Sequence, residues 1–224
     1  VDGESTRVAE GKVKGRARRM PRAEREREML DAAVRVIGRS GYQAASMDEI
    51  AEAAGVSKPL VYLYLNSKEE LFTACVEREA RTLVGAVQAG VRAGDPPDRQ
   101  LWRGLTAFFR YAAERADGWQ VLHIRARTHG EPFARLADTM REQILALVTA
   151  LIADAARSEH GTRDLPAREV EGLAHALVGA AESLATRAGS DPTLTPAESA
   201  RTLMAFAWTG LEGLVAGRRW AAGE

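Results

Sequence analysis

Three helix starts fall between Ser46 and Ser67, and that crowding constrains the chain more than any other feature. Ser46-Met47-Asp48-Glu49 is a capping box, in which the serine oxygen accepts from a backbone N–H of the first turn and Glu49 reaches back. Ser57 is expected to be a second N-cap, ahead of Lys58-Pro59, where a proline in the first turn lacks only an N–H that would be unpaired there anyway. Ser67-Lys68-Glu69-Glu70 is another capping box. Ile50, Ala51 and Ala54 face one way, Gly55 stops their helix, and Val56 fills the corner. Two helices of about two turns each, joined by a turn of three or four residues around a glycine, have the spacing of a helix-turn-helix.

Ahead of this pair, Leu30, Ala33, Val34 and Ile37 make one apolar stripe of a helix over roughly 22–40, closed by Gly41. Residues 1–20 are polar and aperiodic and read as a flexible arm. From Lys12 to Arg22 there are six basic residues (Lys12, Lys14, Arg16, Arg18, Arg19 and Arg22) and no acid. A solvated tail and an arm lying on phosphates both fit such a run. The whole chain balances 31 basic against 31 acidic residues, which excludes a uniformly basic coat but not a local basic surface.

Beyond Ser67 the apolar period is helical throughout. It predicts a helix of about 25 residues carrying Leu71, Phe72, Cys75 and Leu83, then others over roughly 98–116, 130–158, 167–188 and 195–217. Thr195-Pro196-Ala197-Glu198 is a further strong helix start. The segment 119–128 is ambiguous, since Trp119, Val121, His123 and Arg125 alternate as in a strand while Val121, Ile124 and Arg125 fit one helical face. Its neighbours favour helix. Ala, Leu, Arg and Glu dominate and aromatics are only 6%, which also favours helix. The expected fold class is all-α.

In the second short helix, Val61 and Leu65 lie four apart and can pack inward. Lys58, Tyr62 and the Leu60/Tyr64 edge can then point away. Tyrosine hydroxyls and a lysine reach phosphates, and an apolar side chain such as Leu60 can touch thymine methyls. The same spacing also allows Tyr62 and Tyr64 to be half-buried packing residues.

Gly41-Tyr42, then Ser46, then the run from Ile50-Ala51 through Ala54-Gly55-Val56-Ser57, Tyr62 and Ser67-Lys68-Glu69-Glu70-Leu71 resembles the signature of TetR-family transcriptional repressors. The likeness covers about 50 residues counting the first helix. It implies a three-helix DNA-binding domain over 21–67, after the 1–20 arm, and a helical effector-binding and dimerisation domain of roughly six helices over 68–224. It also implies that Ser46 caps and contacts a phosphate. Lys58, Pro59, Leu60 and Tyr62 fall where the family reads the major groove, and Tyr64 and Lys68 where it binds phosphates. Met47 and Asp48 are not carried over, because neither is basic and Asp48 repels phosphate. Leu63 stands where the family often has a bulky polar or aromatic residue. The arm with Arg16, Arg18, Arg19 and Arg22 is placed to lie on phosphates or enter a minor groove.

The implied partners are a palindromic double-stranded operator, a second copy of the chain and a small-molecule effector. One helix pair covers few base pairs, so two are needed about one duplex turn apart, roughly 34 Å. For the dimer, Gly210, Gly213 and Gly217 form a small-residue stripe beside Leu203, Phe206 and Leu214. Val170, Leu173, Leu177 and Leu184 share one face of the preceding helix. Together they can build a four-helix bundle, or pack inside one chain. For the effector, Trp102, Phe109, Trp119, Phe133 and Met140 are candidate cavity walls, and His123, Arg125, His175 and Glu182 candidate polar groups; each also fits an ordinary core or surface role. The aromatic and Met content points to a hydrophobic or amphipathic effector, whose release of the protein from DNA would make it a repressor.

Other classes are weaker. The four histidines form no HExxH, and Glu171 with His175 supplies only two ligands, so neither a metal nor another cofactor is expected and catalysis has no motif. A helical protein-interaction module that has lost DNA binding is the main alternative. No apolar run reaches the roughly 18 residues needed to span a bilayer, no signal peptide is visible, and Cys75 is the only cysteine, so a cytoplasmic location is expected.

Overall fold

The computed structural model describes residues 21–160 and 165–215, and every element in them is helical. The first three are α1 (Arg22–Ser40), α2 (Met47–Ala53) and α3 (Lys58–Leu65). After them come α4 (Lys68–Gly90), α5 (Pro97–Glu114), α6 (Ala116–Gln120), α7 (Ala126–Thr128), α8 (Phe133–His160), α9 (Ala167–Ser190) and α10 (Pro196–Val215). A helix-turn-helix head is thus followed by a helical body, as expected.

The caps explain the boundaries of the head. Gly41 ends α1 at φ 85°, and its N–H reaches the Ile37 carbonyl at 2.8 Å. Ser46 Oγ accepts the Glu49 N–H at 3.0 Å. Gly55, at φ 66°, closes α2 with a double cap. Its own N–H goes to Glu52, and that of Val56 to the Ala51 carbonyl, both at 3.0 Å. Ser57 differs from expectation, because its side chain caps nothing. Pro59 has no N–H to offer, and the Leu60 N–H is taken by the Ser57 carbonyl at 2.9 Å. Ser67 does cap, accepting from Glu70 N–H at 3.0 Å, but the Glu70 carboxylate turns to Asn66 Nδ2 at 2.7 Å instead of back to Ser67. Thr195 and Glu198 make the reciprocal pair in full.

The ambiguous stretch is helical with a defect: Val121–Arg125 is a π-helical turn between α6 and α7. The wider turn shifts the register, so Trp119, Val121, Leu122 and Ala126 are all buried. At about 100° per residue these four span an arc of about 160°, wide for one helical face, and Val121 at its edge is what alternates with Trp119 as in a strand.

One apolar core runs from the head into the body. Met29 and Ile37 of α1, Ile50 of α2 and Val61 of α3 meet Leu71, Phe72 and Val76 of α4, all fully buried. Cys75 sits on the same stripe, and burial pushes its thiol up to about 12, which makes it an inert packing residue.

A charge is buried in this core as well. Glu79 of α4 is wholly enclosed. Its carboxylate accepts from Tyr111 Oη at 3.0 Å, from Arg115 Nε at 2.8 Å and Nη2 at 2.6 Å, and from Arg78 Nη2 at 3.0 Å. Burial alone would raise its pKa, but the Arg115 and Arg78 guanidinium groups outweigh it and hold the carboxyl below its ordinary value. Arg78 also pairs with Asp31 of α1 at 3.0 Å. The network therefore ties α1, α4 and α5 together. Gly118 of α6 presses on the carboxylate so closely that any Cβ there would strike Glu79 Oε2.

Candidate functional site

In α3 the inward residues are Val61 and Leu65, both buried. At about 100° per residue, Leu63 points roughly 160° away from each, while Tyr62 and Tyr64 flank the buried line on its two sides. Exposure follows that wheel: Leu63 is 72% exposed and Tyr62 40%. Lys58 and Pro59 are also exposed, whereas Leu60 and Tyr64 are half-buried. The tyrosine rings are not sealed inside the molecule.

The cations of this face are already engaged. Lys58 Nζ lies 2.8 Å from Asp48 Oδ2, and that hydrogen bond and charge raise its pKa. Lys68 Nζ bonds the Gln43 carbonyl at 3.2 Å and stands 4.7 Å from the centre of the Tyr42 ring. Arg22 lies over Tyr64 at 4.9 Å. Asp48, set aside in the sequence, orients the lysine. Arg16, Arg18 and Arg19 lie outside the described residues.

The body holds an apolar cavity of about 70 Å³ between α4, α5, the α6–π turn, α8 and α9. Leu83, Leu105, Phe108, Leu122, Ile144 and Ala181 make much of its wall. Trp119, His123, Met140 and Glu182, expected from the sequence, all line it. His123 stacks on Trp119 with ring centres 4.6 Å apart. Burial holds its pKa below the ordinary value against the pull of Glu182. Glu182 is paired with Arg141 at 2.9 Å. The buried Trp119 Nε1 has no hydrogen-bond partner among the described residues. A second small cavity of about 40 Å³, reaching Trp208 and Leu211, shares Leu101, Val148, Leu151 and Leu177 with the first.

Five expected cavity residues lie elsewhere. Phe109 is buried in the core beside Phe108, which takes the wall position. Trp102 packs half-buried against that core. Phe133 stacks with Phe72 and Tyr42 at the base of the head, with ring centres 4.4 and 5.3 Å away. His175 is exposed and bonds the Glu171 carbonyl of its own helix at 2.9 Å. Arg125 grips the head, donating to the Gly38 and Arg39 carbonyls at 3.4 and 3.3 Å. Arg127, Asp138 and Arg141 line the cavity and were not foreseen.

The segment that lines the cavity also holds α1. Besides Arg125, Asp117 of α6 pairs with Arg39 at 3.6 Å. Gly38 lies so near that a Cβ would stand 2.8 Å from the Asp117 carbonyl oxygen.

Comparison with known proteins decides the lineage. Residues 29–75 match the family model "Bacterial regulatory proteins, tetR family", and residues 97–210 match "Tetracyclin repressor-like, C-terminal domain". The chain belongs to the TetR family. It is a DNA-binding transcriptional regulator. Over 107 residues it is 38% identical to the HTH-type transcriptional activator FasR of Mycolicibacterium smegmatis, a match covering 48% of this chain and 49% of FasR. A TetR-like regulator from Rhodococcus sp. RHA1, solved by crystallography, aligns with TM-score 0.75 and 36% identity over 87% of this chain and all of that one. FadR of Bacillus subtilis, solved with stearoyl-CoA, shares the fold at TM-score 0.66 and 19% identity over 86% of this chain and 99% of that one.

In this TetR-family chain the expected dimer residues divide. Val170, Leu177 and Leu203 are buried within the one chain, while Leu173 and Leu184 pack half-buried against its own core clusters. Their stripe is the inward face of the bundle. Phe206 is 77% exposed, Gly210 is exposed and Gly213 half-exposed. The Leu214 side chain and Gly217 lie outside the described residues. Among the described residues no cluster of three or more His, Cys, Asp or Glu could hold a metal, and no helix is long and apolar enough to cross a membrane.

Proposed function

We propose that this regulator binds a two-fold symmetric operator as a homodimer and releases it when a long-chain acyl compound enters the body cavity. The observation that carries the reading is the cavity itself: apolar walls with His123, Arg127, Asp138, Arg141 and Glu182 among the residues that line it. Such a site suits a ligand with an apolar chain and one anionic end. The shared wall of the two cavities gives a chain room to extend, since Leu and Val side chains there can turn aside. FadR of Bacillus subtilis, of the same fold, was solved with stearoyl-CoA, which supports this class.

In this proposal residues 21–67 read DNA and 68–224 sense and dimerise. Tyr62 and Lys58 reach the groove wall, Pro59 and Leu60 its floor, and Ser46, Tyr64 and Lys68 the phosphates. Residues 21–67 carry six basic and seven acidic side chains, so phosphate neutralisation falls to the arm with Arg16, Arg18, Arg19 and Arg22. The dimer forms through the outer faces of α9 and α10. Gly172 and Gly210 have open space where a Cβ would stand, so no described residue of the chain requires glycine there. A facing backbone would. Phe206, exposed beside them, is the apolar anchor of that face.

An effector beside Trp119 and His123 shifts the α6–π segment, which holds α1 through Arg125, Asp117 and Gly38, and so re-aims the head. The protein represses where its operator overlaps a promoter. The test is calorimetric titration with acyl-CoA thioesters of increasing length, paired with operator release. Binding that strengthens with chain length, and release in parallel, is expected. No binding of any acyl-CoA at micromolar concentration sinks the effector class.

A further inference from the structure

Leu63 was passed over in the sequence because it departs from its family, yet it holds the outermost position of the reading helix. It lies about 160° from both Val61 and Leu65, so it projects farthest from the protein when α3 docks by its exposed face. Pro59, one turn earlier, is also exposed and lies on the same ridge. Leu60, which shares the outward side, is half-buried and so reaches less far out than Leu63. The polar groups at the margins are already engaged within the protein, Lys58 with Asp48 and Tyr64 under Arg22, whereas Leu63 has no such partner to give up.

We propose that Leu63 is a specificity-determining residue that reads the C5-methyl of one thymine in each operator half-site. The inference rests on the DNA-binding reading and extends it to a base. A leucine can neither donate nor accept a hydrogen bond. On the floor of a major groove the one feature that rewards it is the thymine methyl, while the exposed polar edges of the other bases lose water against it without compensation. The side chain gains by the contact because it is 72% exposed in the free protein. A polar or aromatic residue at this position could bond a phosphate or a base edge; Leu63 gives up that option, so the preference it writes is for T.

The test begins with duplexes selected from a random pool by the intact protein. Each thymine of the selected half-site is then replaced in turn by deoxyuridine, which removes only the methyl group. For the unaltered chain one position per half-site should lose affinity about fourfold when demethylated, the Boltzmann weight of one buried methyl, and about fifteenfold when both half-sites are changed. In Leu63→Ala that sensitivity should vanish while other positions keep theirs. In Leu63→Gln the preferred base at that position should move from T to A, since glutamine pairs with the adenine edge. Equal methyl sensitivity in Leu63→Ala, or no sensitive thymine at all, overturns the proposal while leaving the regulator reading intact. Failure of the unaltered chain to select any duplex overturns both. An unchanged melting temperature of the variants, expected for so exposed a residue, shows that the comparison is made between folded proteins.

Discussion

The proposed sites of the head and the body lie on opposite sides of their helices. In α3 the residues proposed to read DNA, Tyr62 and Leu63, face out, away from Val61 and Leu65. In the body the proposed site faces in, so that His123, Glu182 and Arg141 meet around a cavity built from the same Leu, Ile and Phe that make the core. An outward site betrays itself in the sequence, because a large side chain breaks the apolar stripe. An inward site does not, because a cavity wall and a packed core use the same residues at the same spacing. Besides α4, the short segment from Asp117 to Arg125 reaches both: it lines the cavity with Trp119 and holds α1 with Arg125.

This contrast makes predictions of decreasing size. Removing residues 1–20 should weaken operator binding by orders of magnitude near physiological salt. It should lower the slope of log affinity against log salt by about 9 for the dimer, one phosphate contact per basic residue from Lys12 to Arg19 in each of two arms. Thermal stability should not change. Fluorescence anisotropy over a salt series reads both, and an unchanged slope would return the phosphate role to the described head. Glu79→Ala should destabilise the protein by roughly 3 kcal/mol, since it takes the carboxylate from the Tyr111 hydroxyl and the Arg115 guanidinium and leaves a gap in the core, while Arg78 keeps Asp31. Chemical denaturation measures it, and a loss under about 1 kcal/mol would show the network to be ornamental.

Tyr62→Ala should cost about tenfold in operator affinity with no loss of stability, whereas Ala181→Met should do the reverse. The added side chain fills the cavity, so acyl-CoA should neither bind nor release DNA while operator affinity stays intact. If both variants altered both functions, the division into an outward and an inward site would fail. The smallest effect belongs to His123. Its pKa lies below the ordinary 6.5 because burial disfavours the charged ring, with Arg127 and Arg141 acting in the same sense and Glu182 opposing. The unfolded chain therefore takes up this proton first as pH falls below 6.5, and stability present above that pH is lost through the folded value. His123→Gln should flatten that part of the melting-temperature profile; an identical profile would place the ring in water.

The sequence revealed the head almost completely because caps are local. Ser46, Gly55 and Ser67 set helix ends through bonds to residues three to five positions away, which a reader of one strand of text can see. Ser57 failed for an equally local reason, the missing N–H of Pro59. In the body the helices were legible from their period, but their inward residues were not assignable. Phe108 and Phe109 are adjacent, and only the packing of α5 on α6 decides that the former faces the cavity. Val170, Leu177 and Leu203 looked like an interface because an apolar stripe does not say whether its partner is the same chain or another. Arg125 looked like a ligand-orienting group because its partners, the carbonyls of Gly38 and Arg39, are 87 and 86 residues away. The π turn was hidden because it has no period of its own over five residues.

The most direct test is operator affinity measured with and without a saturating long-chain acyl-CoA, on the intact protein and on Gly38→Ala. The intact protein should lose at least tenfold in DNA affinity on binding the acyl-CoA, and by reciprocity should bind the thioester equally less well on DNA. Gly38→Ala, which wedges α1 away from Asp117, should bind both ligands with little mutual effect. An intact protein that takes up acyl-CoA tightly and holds its operator unchanged would contradict the claim that the α6–π segment carries the cavity's state to the head.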